Sequence, residues 1–181
     1  SKIKNLKRIR YTTSHPIDFT DDLIEAHGNN DKLMPLIHLP VQSGSDKILK
    51  DMNRKHNIGE YIRLITKIKK TNPKIKFSSD FIIGYPGETE RDFNDTLKLL
   101  KKVEFINSYS FLYSSRPGTP AAKMNNINQA TAKERLKKFQ KKANEIKMKY
   151  KKNLFGTDSQ VLFENKVLNK EEYFGKDEFS N

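Results

Sequence analysis

Four short runs hold the side chains with chemical potential. They are His38 to Ser45 (HLPVQSGS), Phe81 to Thr89 (FIIGYPGET), Arg116 to Pro120 (RPGTP) and the lysine-rich stretch that follows Thr131. Gln42, Ser43 and Ser45 place an amide and two hydroxyls at the end of an apolar run, a set suited to the ribose or amino-acid group of a cofactor. The same residues equally make a loop in which Ser45 caps a helix over 46–52. Gly84 and Gly87 flank a strand-to-helix turn whose backbone a ligand can approach, and the free N–H groups of the helix start favour anionic or polar ligands. Taken alone, that turn is generic. Arg116 reads either as a solvent-facing cation on a rigid turn or as a contact to substrate phosphate.

Other chemistries are thinly supported. The sequence has no Cys, which removes disulfides, a thiol nucleophile and thiolate metal sites. No two His residues have helical metal-ligand spacing, so zinc is not expected. His38 lies in an apolar run and reads as a satisfied core histidine, while the roles of His15 and His56, both in loops, stay open. Ser14 and Ser43 have no evident base partner, which leaves a hydrolase triad unsupported. Lys and Arg outnumber Asp and Glu by 35 to 22, a net charge of +13 that favours a polyanionic partner. A lysine-rich and asparagine-rich background explains the same excess. No apolar run approaches the roughly 20 residues of a membrane span, and the start lacks a signal-peptide core, so the expected location is cytoplasmic, away from membranes. A first residue of Ser, close to a strand, suggests a chain cut from something longer.

The elements that must position these groups follow from the apolar spacing. Arg8–Thr13, Leu36–Val41, Phe77–Tyr85 and Ser108–Tyr113 read as buried strands, each ending in polar or turn residues. Ile58, Tyr61, Ile62, Ile65 and Ile68 form one helical stripe, and Phe93, Leu97, Leu100 and Val103 another, with Thr89 as the cap of the second. Strand–helix alternation predicts an α/β fold with a parallel sheet, either an open doubly wound sheet or a segment of a (β/α) barrel. In both, function sits in the loops after the strands. From Thr131, capped with Glu134, one long helix carries the stripe Leu136, Phe139, Ala143, Ile146 and Tyr150 and ends at Gly156. Ten lysines and arginines, Arg135 among them, occupy its other faces. Ser159–Glu164 reads as a further strand.

Taken together the runs resemble a known family. Arg8 to Pro16 (RIRYTTSHP), His38 to Leu49 (HLPVQSGSDKIL), Met52-Asn53-Arg54, Ser79 to Thr89 (SDFIIGYPGET) and Arg116 to Ala121 (RPGTPA) come in the order and spacing of the radical S-adenosylmethionine (SAM) methylthiotransferases. They are most similar to the MiaB type, the tRNA 2-methylthio-N6-dimethylallyladenosine synthases. The resemblance implies an incomplete radical SAM (β/α)6 partial barrel over residues 1–129, a connecting basic helix over 130–155, and the truncated start of a TRAM RNA-binding β-barrel over 156–181. It implies SAM and [4Fe–4S] clusters as cofactors, with the cluster cysteines absent from this chain. In that family a SAM-derived radical takes hydrogen from C2 of the modified adenosine at position 37, and another SAM gives the methyl group.

Carried over by motif position, Gln42 and Ser43 would meet the ribose or amino-acid part of SAM. Arg54 would meet its carboxylate, and Ile83 with Gly84 its adenine. Ser14 and Asp80 are weaker members of that pocket. Arg116, Lys141, Lys142, Lys149 and Lys152 would meet tRNA phosphate. The alternatives are a non-catalytic remnant that binds RNA through its basic helix, the sister methylthiotransferase that acts on a ribosomal protein, and a partner chain that supplies the missing half.

Overall fold

Alternation along the central strand decides which way everything faces. The structure, a computed structural model, describes residue 3 and residues 5–13 and 15–180. Strands β1 (Leu36–His38), β2 (Lys76–Ile83) and β3 (Asn107–Leu112) form one parallel sheet in the order β1-β2-β3. In β2, Phe77, Phe81 and Ile83 point to one face and are fully buried. They join a single core with Ile37 of β1, Tyr61, Ile65 and Ile68 of α3 (Ile58–Thr71), Phe93, Leu100 and Val103 of α4 (Glu90–Val103), and Phe139 and Ile146 of α5 (Gln129–Lys152). The ring of Phe81 lies 5.5 Å from Phe105 and 4.7 Å from Phe139, which ties the sheet to the long helix.

The opposite face carries His38, Ser78, Asp80, Ile82, Tyr109 and Phe111. Asp80 is in register with Tyr109, and Ile82 with Phe111. Tyr109 and Phe111 are 51% and 57% exposed, and no helix among the described residues covers them. A doubly wound sheet is covered on both faces, so this one-sided covering selects the barrel segment of the two expected architectures.

Local signals explain the helix ends. Asn57 and Glu60 close a capping box on α3, and Thr89 and Asp92 close another on α4. Ser45 caps the short α2 (Asp46–Asp51), whose far end is a Schellman motif: Asn53 takes a left-handed φ of 56°, Asn53 N–H bonds Lys50 O, and Arg54 N–H bonds Leu49 O.

Three expectations are corrected, and one helix is added. Arg8–Thr13 is extended but forms only one bridge, Ile9 with Leu33, so the sheet has three laddered strands. Arg8 and Arg10 alternate with half-buried Ile9 and Tyr11, which leaves little to bury. Arg8 instead donates to the carbonyls of Gln160 (2.5 Å) and Lys176 (2.7 Å), while the Thr13 hydroxyl takes the His38 carbonyl. A helix, α1 (Asp21–Asn29), occupies a segment without a clear apolar stripe. The long helix starts at Gln129 under the Asn128 side chain rather than at Thr131, and it ends at Lys152, four residues before Gly156. The tail strand is β4 (Leu162–Lys166), paired antiparallel with β5 (Tyr173–Lys176).

Candidate functional site

Because the sheet is parallel, the loops after all three strands open at one edge. The loop after β1 stays pinned to β2: Gln42 N–H bonds Asp80 O at 2.9 Å, and Ile82 N–H bonds Gln42 O at 2.9 Å. Gln42 holds φ 74°, a conformation uncommon for a side-chain-bearing residue; the residue is half-buried, and its side chain makes no hydrogen bond among the described residues. Ser43 turns the other way. It is 1% exposed, and its hydroxyl sits 3.4 Å from Thr96 Oγ1 and accepts Ser45 N–H at 3.2 Å. Gly44 follows because a Cβ there would lie 2.4 Å from the α4 backbone at Thr96.

The loop after β2 is fixed by an ion pair that sequence reasoning missed. Gly84 has φ 76°, and its N–H is accepted by Glu88 Oε2 at 3.2 Å. Glu88, 5% exposed, also meets Arg135 of α5, whose Nη1 donates to Glu88 Oε1 at 2.8 Å and Glu88 O at 2.9 Å. Arg135 further bonds Glu90 Oε2 at 3.2 Å. Arg135 is therefore a buried anchor, 7% exposed, and not part of the helix's solvated basic face. Burial pushes the Glu88 carboxyl up, and the hydrogen bonds and charge of Arg135 oppose that push. Ile83 lies wholly in the core, so only its backbone reaches the site. The Glu in the GYPGE turn was the available signal for this contact; nothing in the sequence paired it with Arg135.

On the open face His38 is satisfied, as expected, but it is half-buried and outside the helix-packed core. Its Nδ1 is 3.0 Å from Ser78 Oγ and its Nε2 3.4 Å from Asp80 Oδ1. Tyr109 stands edge-on at 5.9 Å. Asp80 is thus brought into this cluster. Ser14 lies outside the described residues. Arg54 leaves the Schellman turn half-buried, near the rings of His56 and His15, which meet edge-on at 5.0 Å. Burial first, then the charges of His15 and Arg54, hold the His56 imidazole down at about 4, against the opposing pull of Glu60 and Asp46.

The expected RNA contacts divide. Among the described residues Arg116, Lys141 and Lys152 are exposed and make no ion pair, whereas Lys142 is paired with Glu145 at 2.7 Å and Lys149 with Glu104 at 2.8 Å. Among the described residues no group of three or more His, Cys, Asp or Glu is arranged to hold a metal ion, and no helix is long and apolar enough to cross a membrane.

The sequence signature of the radical SAM superfamily matches residues 1–100, more than half of the chain: the chain belongs to that superfamily. Within it the similarity is narrow. The chain is 55% identical over 174 residues to the tRNA-2-methylthio-N(6)-dimethylallyladenosine synthase of Pelagibacter ubique, covering 96% of this chain and 39% of that one. It is 53% identical over 167 residues to the protein of the same name from Ehrlichia canis, covering 92% and 38%. A third, from Ruegeria pomeroyi, is 49% identical over 178 residues, covering 98% and 40%. The chain thus spans about two fifths of the length of these curated relatives. Among solved structures, the radical SAM enzyme coproporphyrinogen III oxidase (HemN) of Escherichia coli superposes with a TM-score of 0.59 at 16% identity, over 73% of this chain and 31% of that chain. That likeness concerns the fold.

Proposed function

We propose that this chain is the SAM-facing and RNA-facing portion of a tRNA methylthiotransferase that adds a methylthio group to C2 of N6-dimethylallyladenosine at position 37. The observation that carries the reading is the 55% identity to a synthase of that name across 96% of the chain. The convergence of the Gln42, Gly84 and Arg54 segments on one sheet edge supports it. SAM fits the donors present. Gln42 offers a partner-free amide to the ribose or amino-acid group, Arg54 an unpaired guanidinium to the carboxylate, and the Ile83–Gly84 backbone an edge for adenine. Ser43 contributes through its backbone, because its hydroxyl is committed to α4. Asp80 orients His38 on the open face, and Ser14 belongs to the same set by motif position. When bound, SAM supplies the methyl group that is transferred.

An iron–sulfur cluster does not fit the residues present. The sequence holds no Cys, and no constellation of other ligands among the described residues replaces a thiolate. No step is therefore assigned through a cluster held by this chain. Arg116, Lys141 and Lys152 are the proposed phosphate contacts, and residues 156–181, with the β4–β5 hairpin, the start of an RNA-binding β-barrel. Equilibrium dialysis of SAM and filter binding of tRNA test the reading together. SAM should be retained and lost on Gln42→Ala, and log K for tRNA should fall linearly with log salt, with a slope shallower by about 2 in the Lys141→Gln/Lys152→Gln variant. Absence of both SAM and tRNA binding would remove the proposal.

A further inference from the structure

Strand β3 forms the outer edge of the sheet, and among the described residues no strand pairs with that edge. Tyr113 N–H bonds Ile83 O at 2.9 Å, and alternation along a parallel ladder then turns the main-chain groups of Tyr109 and Phe111 toward β2 as well. The N–H and C=O groups of Ser108, Ser110 and Leu112 are left facing outward. Folded proteins blunt such edges with charges, proline or a bulge. β3 has none of these: its run NSYSFL carries no charge and no proline, and its register with β2 continues without a shift.

A groove of about 350 Å³ follows this edge beneath α5. Gln140, Asn144 and Lys147 line it from one face of the helix, because positions three and four apart project together. Ala143, a small residue, keeps the space between them open. Ser108 and Ser110 line it from the strand, and the Ser108 hydroxyl is buried without a partner. None of these polar side chains makes a hydrogen bond or ion pair among the described residues. On the opposite face of the sheet, Tyr109 and Phe111 stand exposed along the same edge. The groove is where a fourth strand of this sheet would lie.

We infer that the β3 edge docks an extended polypeptide segment of another protein by strand addition. Main-chain groups of the incoming strand complete the ladder at Ser108, Ser110 and Leu112, and its side chains alternate between the two faces. Those on the open face meet Tyr109 and Phe111 and are apolar. Those under α5 meet Gln140 and Asn144 and are polar, with a carboxylate at Lys147. Charge sets the sign of that last contact. No acidic residue lines the groove; Asp80, in register with Tyr109, is turned to His38 at 3.4 Å, and Glu145 is paired with Lys142. A second copy of this chain fits less well, since two bodies of net charge +13 repel. A nucleic-acid strand suits the charge and the two rings but leaves the main-chain groups of the edge unmatched. The inference goes beyond the proposed function and does not depend on it.

The probe is a synthetic peptide of about eight residues, a strand's length, with valine at alternate positions, serine and threonine between them, and one glutamate on the polar side. Amide hydrogen exchange by NMR reads the 181-residue chain with and without it. The Ser108, Ser110 and Leu112 amides should exchange fast in the free chain and about tenfold or more slowly with saturating peptide, while those of Tyr109 and Phe111 hold. The same peptide N-methylated on the amides that face β3 should not bind, which separates main-chain pairing from loose apolar contact. Lys147 has no protein partner, so Lys147→Glu leaves the fold in place; it should weaken the glutamate peptide about fivefold and favour a peptide with lysine in that position. Unchanged exchange with the peptide, or equal binding of the methylated one, overturns the site. Slow exchange in the free chain that deepens with protein concentration gives the edge to a second copy. Protection by oligouridylate but not by the peptide gives it to RNA. Either of these results overturns the inference as well.

Discussion

Arg135→Met would take away the cation that meets Glu88 and leave the rest of α5 as it is. The Glu88 side chain is 1% exposed, so the variant strands a carboxylate in the interior with only the Gly84 N–H as donor. Removing one partner of a buried pair costs about 3–5 kcal/mol. The contact to Glu90, a side chain 62% exposed, adds little, since exposed pairs contribute roughly 0–1 kcal/mol. Loss of the guanidinium over the Phe93 ring, at 5.7 Å, adds about 0.5–1 kcal/mol. Urea unfolding followed by circular dichroism measures the sum. The penalty should depend on pH. Without Arg135 the Glu88 carboxyl is raised further above its unfolded value. The native state then binds more protons than the unfolded one, and stability falls as pH rises from the unfolded value through the folded one. Lowering pH from 7 to 5 should therefore restore stability at up to about 1.4 kcal/mol per unit. Adding Glu88→Gln removes the stranded charge, so the double variant should be more stable than Arg135→Met alone, by about 2 kcal/mol or more. A pH-independent loss under about 1 kcal/mol, with no rescue by Gln, would refute the reasoning.

Two further outcomes follow from the same geometry. Gly44→Ala drives a methyl into the α4 backbone at 2.4 Å from Thr96 Cα, where nothing can yield cheaply, and should cost about 2–3 kcal/mol in the same unfolding assay. Asp92 is held at about 2: burial raises it, but hydrogen bonds from Ser45 and Thr89 and the charge of Lys47 lower it more. Its folded value is depressed, so it contributes about 2 kcal/mol that is fully present above pH 5 and lost as pH falls from about 4 to 2; Asp92→Asn should flatten that part of the acid-unfolding curve.

What could be read from the sequence was what local chemistry fixes. The stripes of α3 and α4, the caps at Ser45 and Thr89, and the parallel sheet all follow from short-range spacing. The motif runs gave the family, because several specific strings in fixed order exclude coincidence. Tertiary choices were not legible. Ser43 and Gln42 are adjacent polar residues in one loop, yet only the contact with Thr96 on α4 decides that Ser43 is buried while Gln42 stays half-exposed. Arg135 looked like nine other cations on its helix until its buried partner was located. α5 starts at Gln129 because the Asn128 side chain accepts the Ala130 N–H there, a cap that displaces the capping-box pattern at Thr131.

Glu88 and Arg135 are 47 positions apart, and the guanidinium reaches the same turn that Gly84 opens. A ribosome adds residues in order, so a nascent chain holding all three laddered strands still lacks the clasp that shapes the second one's exit. The rim at the strands' carboxyl ends takes its final shape only after the distal helix has emerged and docked. Any interruption of synthesis before that helix leaves a sheet with its strands paired and its rim unfinished.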